Sequence, residues 1–260
     1  MPVKQVRKET LRVPIELSHA SLHDFDEAVD SALRSGITEL RLDCSLLERV
    51  ASEHIGLIFR TVRRSGDQGV KVVLHSVTAS LTRVLHVLDL DIALTFDGAA
   101  AISIPEIAKQ KPYSYGTQVF EAACGTGLDS ATAILRSFQE FVSSLDLSVQ
   151  QSIELETVFY EILTNIRNHG ELSPSQQITV SAQRNESNLS LSFSDPGVQF
   201  NPTQTPSKSE IEEALRAGKP NGYGLTMIAR MTDTMEYRRT EEGQNILTVT
   251  KYLAKDEQDD

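Results

Sequence analysis

The stretch Leu147–Gly170, LSVQQSIELETVFYEILTNIRNHG, decides how the rest of the chain is read. Leu155, Val158, Phe159, Ile162 and Ile166 recur at helical spacing, which marks one face of a helix for burial. On the opposite face Glu161, Asn165 and His169 step four residues at a time, stacking a carboxylate, an amide and an imidazole along one ridge. Such a ridge can meet a metal-bound phosphate. Alone it is weak, because polar residues at that spacing usually form only a solvated face. His169 sits at the helix end, where it is equally suited to the terminal carbonyls.

Further along, Leu189, Leu191 and Phe193 alternate as a strand that runs into Asp195-Pro196-Gly197. Gly222-Tyr223-Gly224 then opens the apolar run Leu225, Met227, Ile228, in the order a nucleotide pocket needs. Gln177 to Ala182 pairs with Asn188 to Ser194 around the turn Asn185-Glu186-Ser187. Upstream lie a strand from Thr117 to Ala123, the turn Gly125-Thr126-Gly127 and a helix carrying Ile134, Phe138, Phe141 and Leu145. The glycine turn reads as a hairpin or helix start and not as a phosphate loop, since no Lys-Ser/Thr pair follows it.

With the ending Tyr237-Arg238-Arg239, Gly243 and Leu247-Thr248-Val249-Thr250-Lys251, these pieces resemble the GHKL ATPase module shared by gyrase, histidine kinases and MutL. The bacterial anti-sigma-factor serine kinases are the nearest variant. The resemblance covers roughly residues 116 to 253 and implies a Bergerat α/β sandwich that binds ATP and Mg2+. It also implies roles. Asp195 accepts from the adenine amino group, Gly197 lets the backbone approach the ring, and Thr248 adds a water-bridged contact. Gly222 and Gly224 present backbone amides to phosphate at the start of a helix near Leu225. Asn165 gives magnesium an amide oxygen, and Glu161 accepts a proton from the attacking hydroxyl. The sequence departs from the commonest Asp-x-Gly-x-Gly form at Gln199, with Phe200 next. Residues 201 to 221, rich in Pro, Ser and Lys, fall where the family carries its lid.

The first hundred residues read as β-α-β-α-β-α-β, which argues for a mostly parallel sheet with helices. Leu11, Val13, Ile15 and Leu17 mark the first strand, with Pro14 at an edge or bulge, and Ser21 is the expected cap of the first helix. Thr38 to Asp43, Val70 to Leu74 and Ile92 to Phe96 are the other strands. Leu42-Asp43, the run Val50 to Leu57 and the run Leu81 to Leu94 resemble the STAS domain of anti-sigma-factor antagonists. Where that family has Asp-Ser-Ser-Gly, this chain has Ala51-Ser52-Glu53-His54, so Glu53 holds the place of the phosphate-accepting serine. Ser52 and Glu53 are the expected regulatory pair. Their plainer role is an N-cap and a first-turn acid.

The expected organisation is an α/β two-domain chain: a STAS-like domain over 1–98, a linker over 99–115, a GHKL-type domain over 116–254 and an acidic tail over 255–260. A formal net charge of −11 argues against nucleic acid and anionic membranes, both of which need clustered Lys and Arg. Neither an apolar run of membrane-spanning length nor a signal peptide stands out, so a cytoplasmic protein is expected. Cys44 and Cys124 lack metal-ligand spacing and read as buried, reduced thiols. A histidine kinase needs a phospho-accepting histidine upstream, and His86 lies inside the STAS-like pattern instead. The resemblance therefore implies a serine protein kinase of a partner-switching system that acts on transcription through anti-sigma control. Its partners would be a STAS-domain antagonist protein and a sigma factor, and the resembled kinases are commonly dimers, so a homodimer is among the expectations. The alternative is a catalytically silent ATP-binding scaffold that sequesters and releases a partner.

Overall fold

The computed structural model of the chain describes residues 7–88, 90, 94–97, 117–203 and 223–253. They form two compact units, each built on its own sheet. The expected linker 99–115, the lid segment from residue 204 onward and the tail 255–260 lie outside the described residues.

In the first unit β1 (Lys8–Arg12), α1 (His19–Arg34), β2 (Glu39–Asp43), α2 (Ser52–Gly66), β3 (Lys71–His75) and α3 (Ala79–Val87) alternate. The strands are parallel in the order β1-β2-β3, with Leu42 between Leu11 and Leu74. Parallel neighbours need crossovers, which α1 and α2 supply. Leu40 and Leu42 of β2, Phe25 and Val29 of α1, and Ile55 and Ile58 of α2 are buried in its core.

Three details differ from the sequence reading. β1 ends at Arg12: Val13 donates a last hydrogen bond to Asp43 O at 3.0 Å, and Pro14 has no N–H with which to continue the ladder. Ile15 is consequently outside the sheet and 54% exposed. Ser18, not Ser21, caps α1, because its Oγ accepts from the Ser21 N–H at 3.1 Å. The fourth strand is reduced, among the described residues, to a parallel bridge between Phe96 and Leu74, and Ile92 and Ala93 lie outside them.

The second unit contains β4 (Gln118–Gly125), α4 (Leu128–Ser144), α5 (Val149–His169), β5 (Gln177–Arg184), β6 (Asn188–Asp195), α6 (Tyr223–Met231), β7 (Thr234–Arg239) and β8 (Asn245–Tyr252). Its sheet runs β4-β5-β6-β8-β7, every pair antiparallel. Strict alternation divides the sheet into two faces. Leu189, Leu191, Phe193 and Asp195 of β6 and Asn245, Leu247 and Val249 of β8 are buried. The other face carries hydroxyls, with Thr248 bonded to Ser192 at 3.2 Å and Ser190 to Thr250 at 3.0 Å.

α4 and α5 lie against the apolar face. Phe138 of α4 stacks on Phe159 of α5 at 4.0 Å, and Phe159 meets Phe193 edge-on at 5.2 Å. Each buried phenylalanine contributes roughly 1.5–3 kcal/mol by transfer, and each ring pair about 0.5–1.5 kcal/mol more. α5 begins on a capping box, in which Ser148 Oγ accepts from the Gln151 N–H and Gln151 Oε1 accepts from the Ser148 N–H. Its polar residues are buried through the middle, where Glu154, Thr157 and Glu161 are at most 3% exposed, while the ridge opens toward the end, with Asn165 half-buried and His169 exposed.

Cys44 and Cys124 are free and buried. Burial pushes the Cys44 thiol up to about 12 and raises that of Cys124. Among the described residues no helix is long and apolar enough to cross a membrane.

Candidate functional site

A solvent-open cleft of about 490 Å3 lies in the second unit, lined from α5 by Ile162, Asn165, Ile166 and His169. Asp195, the last residue of β6, and Asn245 and Leu247 of β8 form its floor, and Leu225 and Ile228 of α6 form a wall. The lining is mainly apolar with a few convergent polar groups, which suits a flat base held by specific hydrogen bonds.

Asp195 is 5% exposed, and its Oδ1 accepts from the Gly197 N–H at 2.9 Å and from Asn245 Nδ2 at 3.0 Å. Among the described residues no donor is paired with Oδ2, so this oxygen is the one available to a ligand donor. Asn245 is fixed in turn, because its Oδ1 accepts from Tyr237 Oη at 2.8 Å and from Arg239 Nη1 at 2.6 Å. Arg239 assigns the amide orientation, since a guanidinium can only donate. Nδ2 also reaches Gly197 O at 3.3 Å and Val198 O at 3.0 Å. Asn245 is thus the keystone of the cleft floor. The sequence reading passed over it, although a polar residue in inward phase with Leu247 and Val249 was the available signal.

Gly197 is required by packing. A Cβ there would stand 2.5 Å from Gly170 O and 2.7 Å from Asp195 Oδ1, so its openness serves the α5 terminus and the carboxylate before any ring. Gly170 has the same property, since its Cβ would lie 2.5 Å from Ile166 O.

Glu161, Asn165 and Gly224 come together. A Cβ on Gly224 would meet Glu161 Oε2 at 2.5 Å and Asn165 Nδ2 at 3.6 Å. α6 starts at Tyr223, so Gly224 is a first-turn residue laid directly over a carboxylate that is 1% exposed. Asn165 Nδ2 is buried with no hydrogen-bond partner among the described residues. A buried amide in that state carries a desolvation cost of about 1–3 kcal/mol, which a ligand can relieve. His169 ends the ridge, exposed, on the rim.

Thr248 is not brought to these groups. It follows Leu247 in β8, so the period of two turns its side chain to the hydroxyl face, where it bonds Ser192. Gly222 lies outside the described residues. The Gly125-Thr126-Gly127 turn starts α4 with Gly127 as N-cap, and Thr126 O accepts from Arg167 Nε at 3.2 Å.

Ser52 and Glu53 belong to the first unit, at the start of α2. Ala51 is the N-cap, so Ser52 is the first helical residue and not the cap, and its Oγ donates to Glu53 Oε2 at 3.3 Å. His54 takes over the capping: Nδ1 accepts from the Ala51 N–H at 3.0 Å and Nε2 donates to Ile15 O at 3.2 Å. Burial pushes the His54 pKa down, against the backbone hydrogen bond to Ile15.

The sequence comparisons agree with this architecture. Residues 126–251 match the model of the Histidine kinase-like ATPase domain family, and residues 3–95 match that of the Mlab, STAS domain family. The chain joins a STAS domain to a histidine kinase-like ATPase domain. Over 121 residues it is 26% identical to the Anti-sigma F factor of two Clostridium perfringens strains, which covers 44% of this chain and 83% of each relative. A crystal structure of the SiaB–SiaC complex from Pseudomonas aeruginosa aligns at 15% identity with a TM-score of 0.39, over 52% of this chain and 89% of that one. The cleft is therefore the cleft of the ATPase domain, and Ser52 and Glu53 open a helix of the STAS domain.

The donor set fits Mg2+ and ATP. Asp195 offers an acceptor on an apolar floor. Asn165 Nδ2, unpaired among the described residues, is a buried donor suited to a phosphate oxygen, while its Oδ1 is the atom a cation would take. Gly224, having no Cβ, lets α6 pack against Glu161 and Asn165. Among the described residues none that lines the cleft is Lys or Arg, and no three His, Cys, Asp or Glu side chains cluster as a metal site. A metal carried with the nucleotide and the backbone N–H groups at the start of α6 would both suit phosphate charge.

Proposed function

We propose that the chain is an ATP-dependent serine protein kinase and anti-sigma-type regulator of a bacterial partner-switching system, with its kinase domain over 116–254 and a fused STAS regulatory domain over 1–98. The observation that carries the reading is the meeting of Glu161 and Gly224 with Asn165, which itself lines the cleft that also holds Asp195 fixed by Asn245. Asp195 Oδ2 accepts a hydrogen bond from the adenine amino group. Asn165 holds Mg2+ through its amide oxygen, and the first turn of α6, with Gly224 and Gly222, faces the phosphates. Glu161 takes the proton of a serine hydroxyl, whose high pKa makes a positioned carboxylate useful. When bound, Mg-ATP supplies the transferable phosphoryl group and the charge that neutralises it.

The Anti-sigma F factor relatives support a partner-switching role, with a STAS-domain antagonist protein as substrate and a sigma factor as the held partner. A homodimer and a cytoplasmic location belong to the same proposal. One observation favours a second reading, a silent ATP-binding scaffold: the Glu161 carboxylate is 1% exposed beneath α6, so transfer requires that end of α6 to yield. Incubating the purified chain with Mg-ATP and candidate STAS proteins separates the two. Phosphoserine on a STAS protein supports the kinase, and bound ATP without transfer supports the scaffold.

A further inference from the structure

The second unit contains a buried ion pair that the cleft chemistry does not use. Lys251, near the end of β8, is 14% exposed at its side chain and places Nζ 2.5 Å from Glu154 Oε2 of α5, a carboxylate side chain 1% exposed. The same Nζ donates to Met231 O at 3.0 Å. Met231 is the last residue of α6, where helix carbonyls lack intrahelical donors and the dipole favours a cation. Gln150 Nε2 donates to Glu154 Oε1 at 3.1 Å and fixes the carboxylate from one turn away. One ammonium thus ties the end of α6 to the flank of α5.

These are the two helices whose other ends make the phosphate half of the cleft. Glu154 and Glu161 are seven residues apart, about two turns, and so share a face of α5. Gly224 and Met231 are likewise seven apart, about 10 Å along α6. α6 is a single run of nine residues, so a shift at Met231 is carried along the helix to Gly224, which already stands against the Glu161 carboxylate with no room for a Cβ. We propose that Lys251 is a positioning residue: by joining Met231 to Glu154 it sets the place of α6 on α5, and through it the approach of Gly224 to Glu161 and Asn165. The proposal rests on the kinase reading for its effect on turnover, but not for its effect on α6.

Removing Lys251 alone would strand a buried carboxylate, so the informative variant is Lys251→Met with Glu154→Gln, which discards both charges at similar volume. Hydrogen exchange of the amides in residues 223–231 of the full-length chain is read first. It is expected to quicken about tenfold in the double variant and to stay near wild type in Lys251→Arg, which keeps the charge and its donors. Unchanged exchange in the double variant overturns the proposal whatever the activity of the chain. ATP affinity and phosphoryl transfer are read second. The base end of the cleft does not touch Lys251, so affinity is expected to hold within about threefold while turnover falls about tenfold or more. Faster exchange with unchanged turnover in an active kinase overturns the positioning role. A wild-type chain that binds ATP without transferring phosphate counts against the kinase reading, and the exchange result then decides the clamp.

Discussion

At the scale of single residues, the cleft shows how one carboxylate is given a direction. Asp195 lends one oxygen to Gly197 and Asn245, which leaves the other for the ligand, and Tyr237 with Arg239 keeps Asn245 from turning over. Replacing Asn245 by Ala removes a hydrogen bond to a charged group, worth about 1.5–3 kcal/mol, and leaves Tyr237 Oη and Arg239 Nη1 short of an acceptor. We expect Asn245→Ala to weaken ATP binding by about tenfold or more in calorimetry. Thr248→Ala, on the other face of the sheet, should leave affinity unchanged; a loss equal to that of Asn245→Ala would restore Thr248 to the site. The helix period put Glu161 and Asn165 on one ridge and the strand end marked Asp195, but that spacing alone was weak and the roles of these residues came from the resemblance. Asn245 was not, because a single polar residue in an inward strand phase carries no motif and acquires meaning only from Asp195, fifty residues away.

At the scale of elements, the helices and inner strands followed their periodicity closely, while their ends did not. α5 announced itself through its apolar stripe, but its buried polar face could not be read, because the elements that cover it come from distant parts of the chain. The start of α2 is similar: its capping group is the His54 imidazole, a side chain that few sequence rules assign to that task. Nδ1 accepts from Ala51 and Nε2 donates to Ile15, so only the neutral ring fits, and burial lowers its pKa. The folded value lies below the unfolded one, so the unfolded chain binds the extra proton. The stability His54 contributes is complete above the unfolded value of about 6.5 and is lost as pH falls through the folded one. Thermal unfolding should show a fall in Tm below about pH 6.5 that is reduced in His54→Gln. An identical slope in the variant would remove His54 as its cause.

At the scale of the whole molecule, the chain carries a proposed kinase and a domain of the kind such kinases modify. Glu53 stands where the resembled antagonists have their acceptor serine, and its carboxylate at a helix start gives about one negative charge against the 1.5–2 of a phosphoserine. The STAS domain should therefore not be labelled by its own ATPase domain, whereas Glu53→Ser should create a labelled site. Ser52 is turned about 100 degrees from position 53 around the helix. Mass spectrometry after incubation with Mg-ATP checks this, and stoichiometric phosphate on Ser52 of the wild-type chain would mean that the acceptor was displaced and not abolished. The central claim, that this cleft both holds Mg-ATP and moves its phosphoryl group, is tested most directly by the Glu161→Gln variant. Its ATP affinity and its rate of transfer to a STAS protein should be measured side by side with those of wild type. Affinity close to wild type with transfer reduced about a hundredfold or more is the predicted result; undiminished transfer would contradict it.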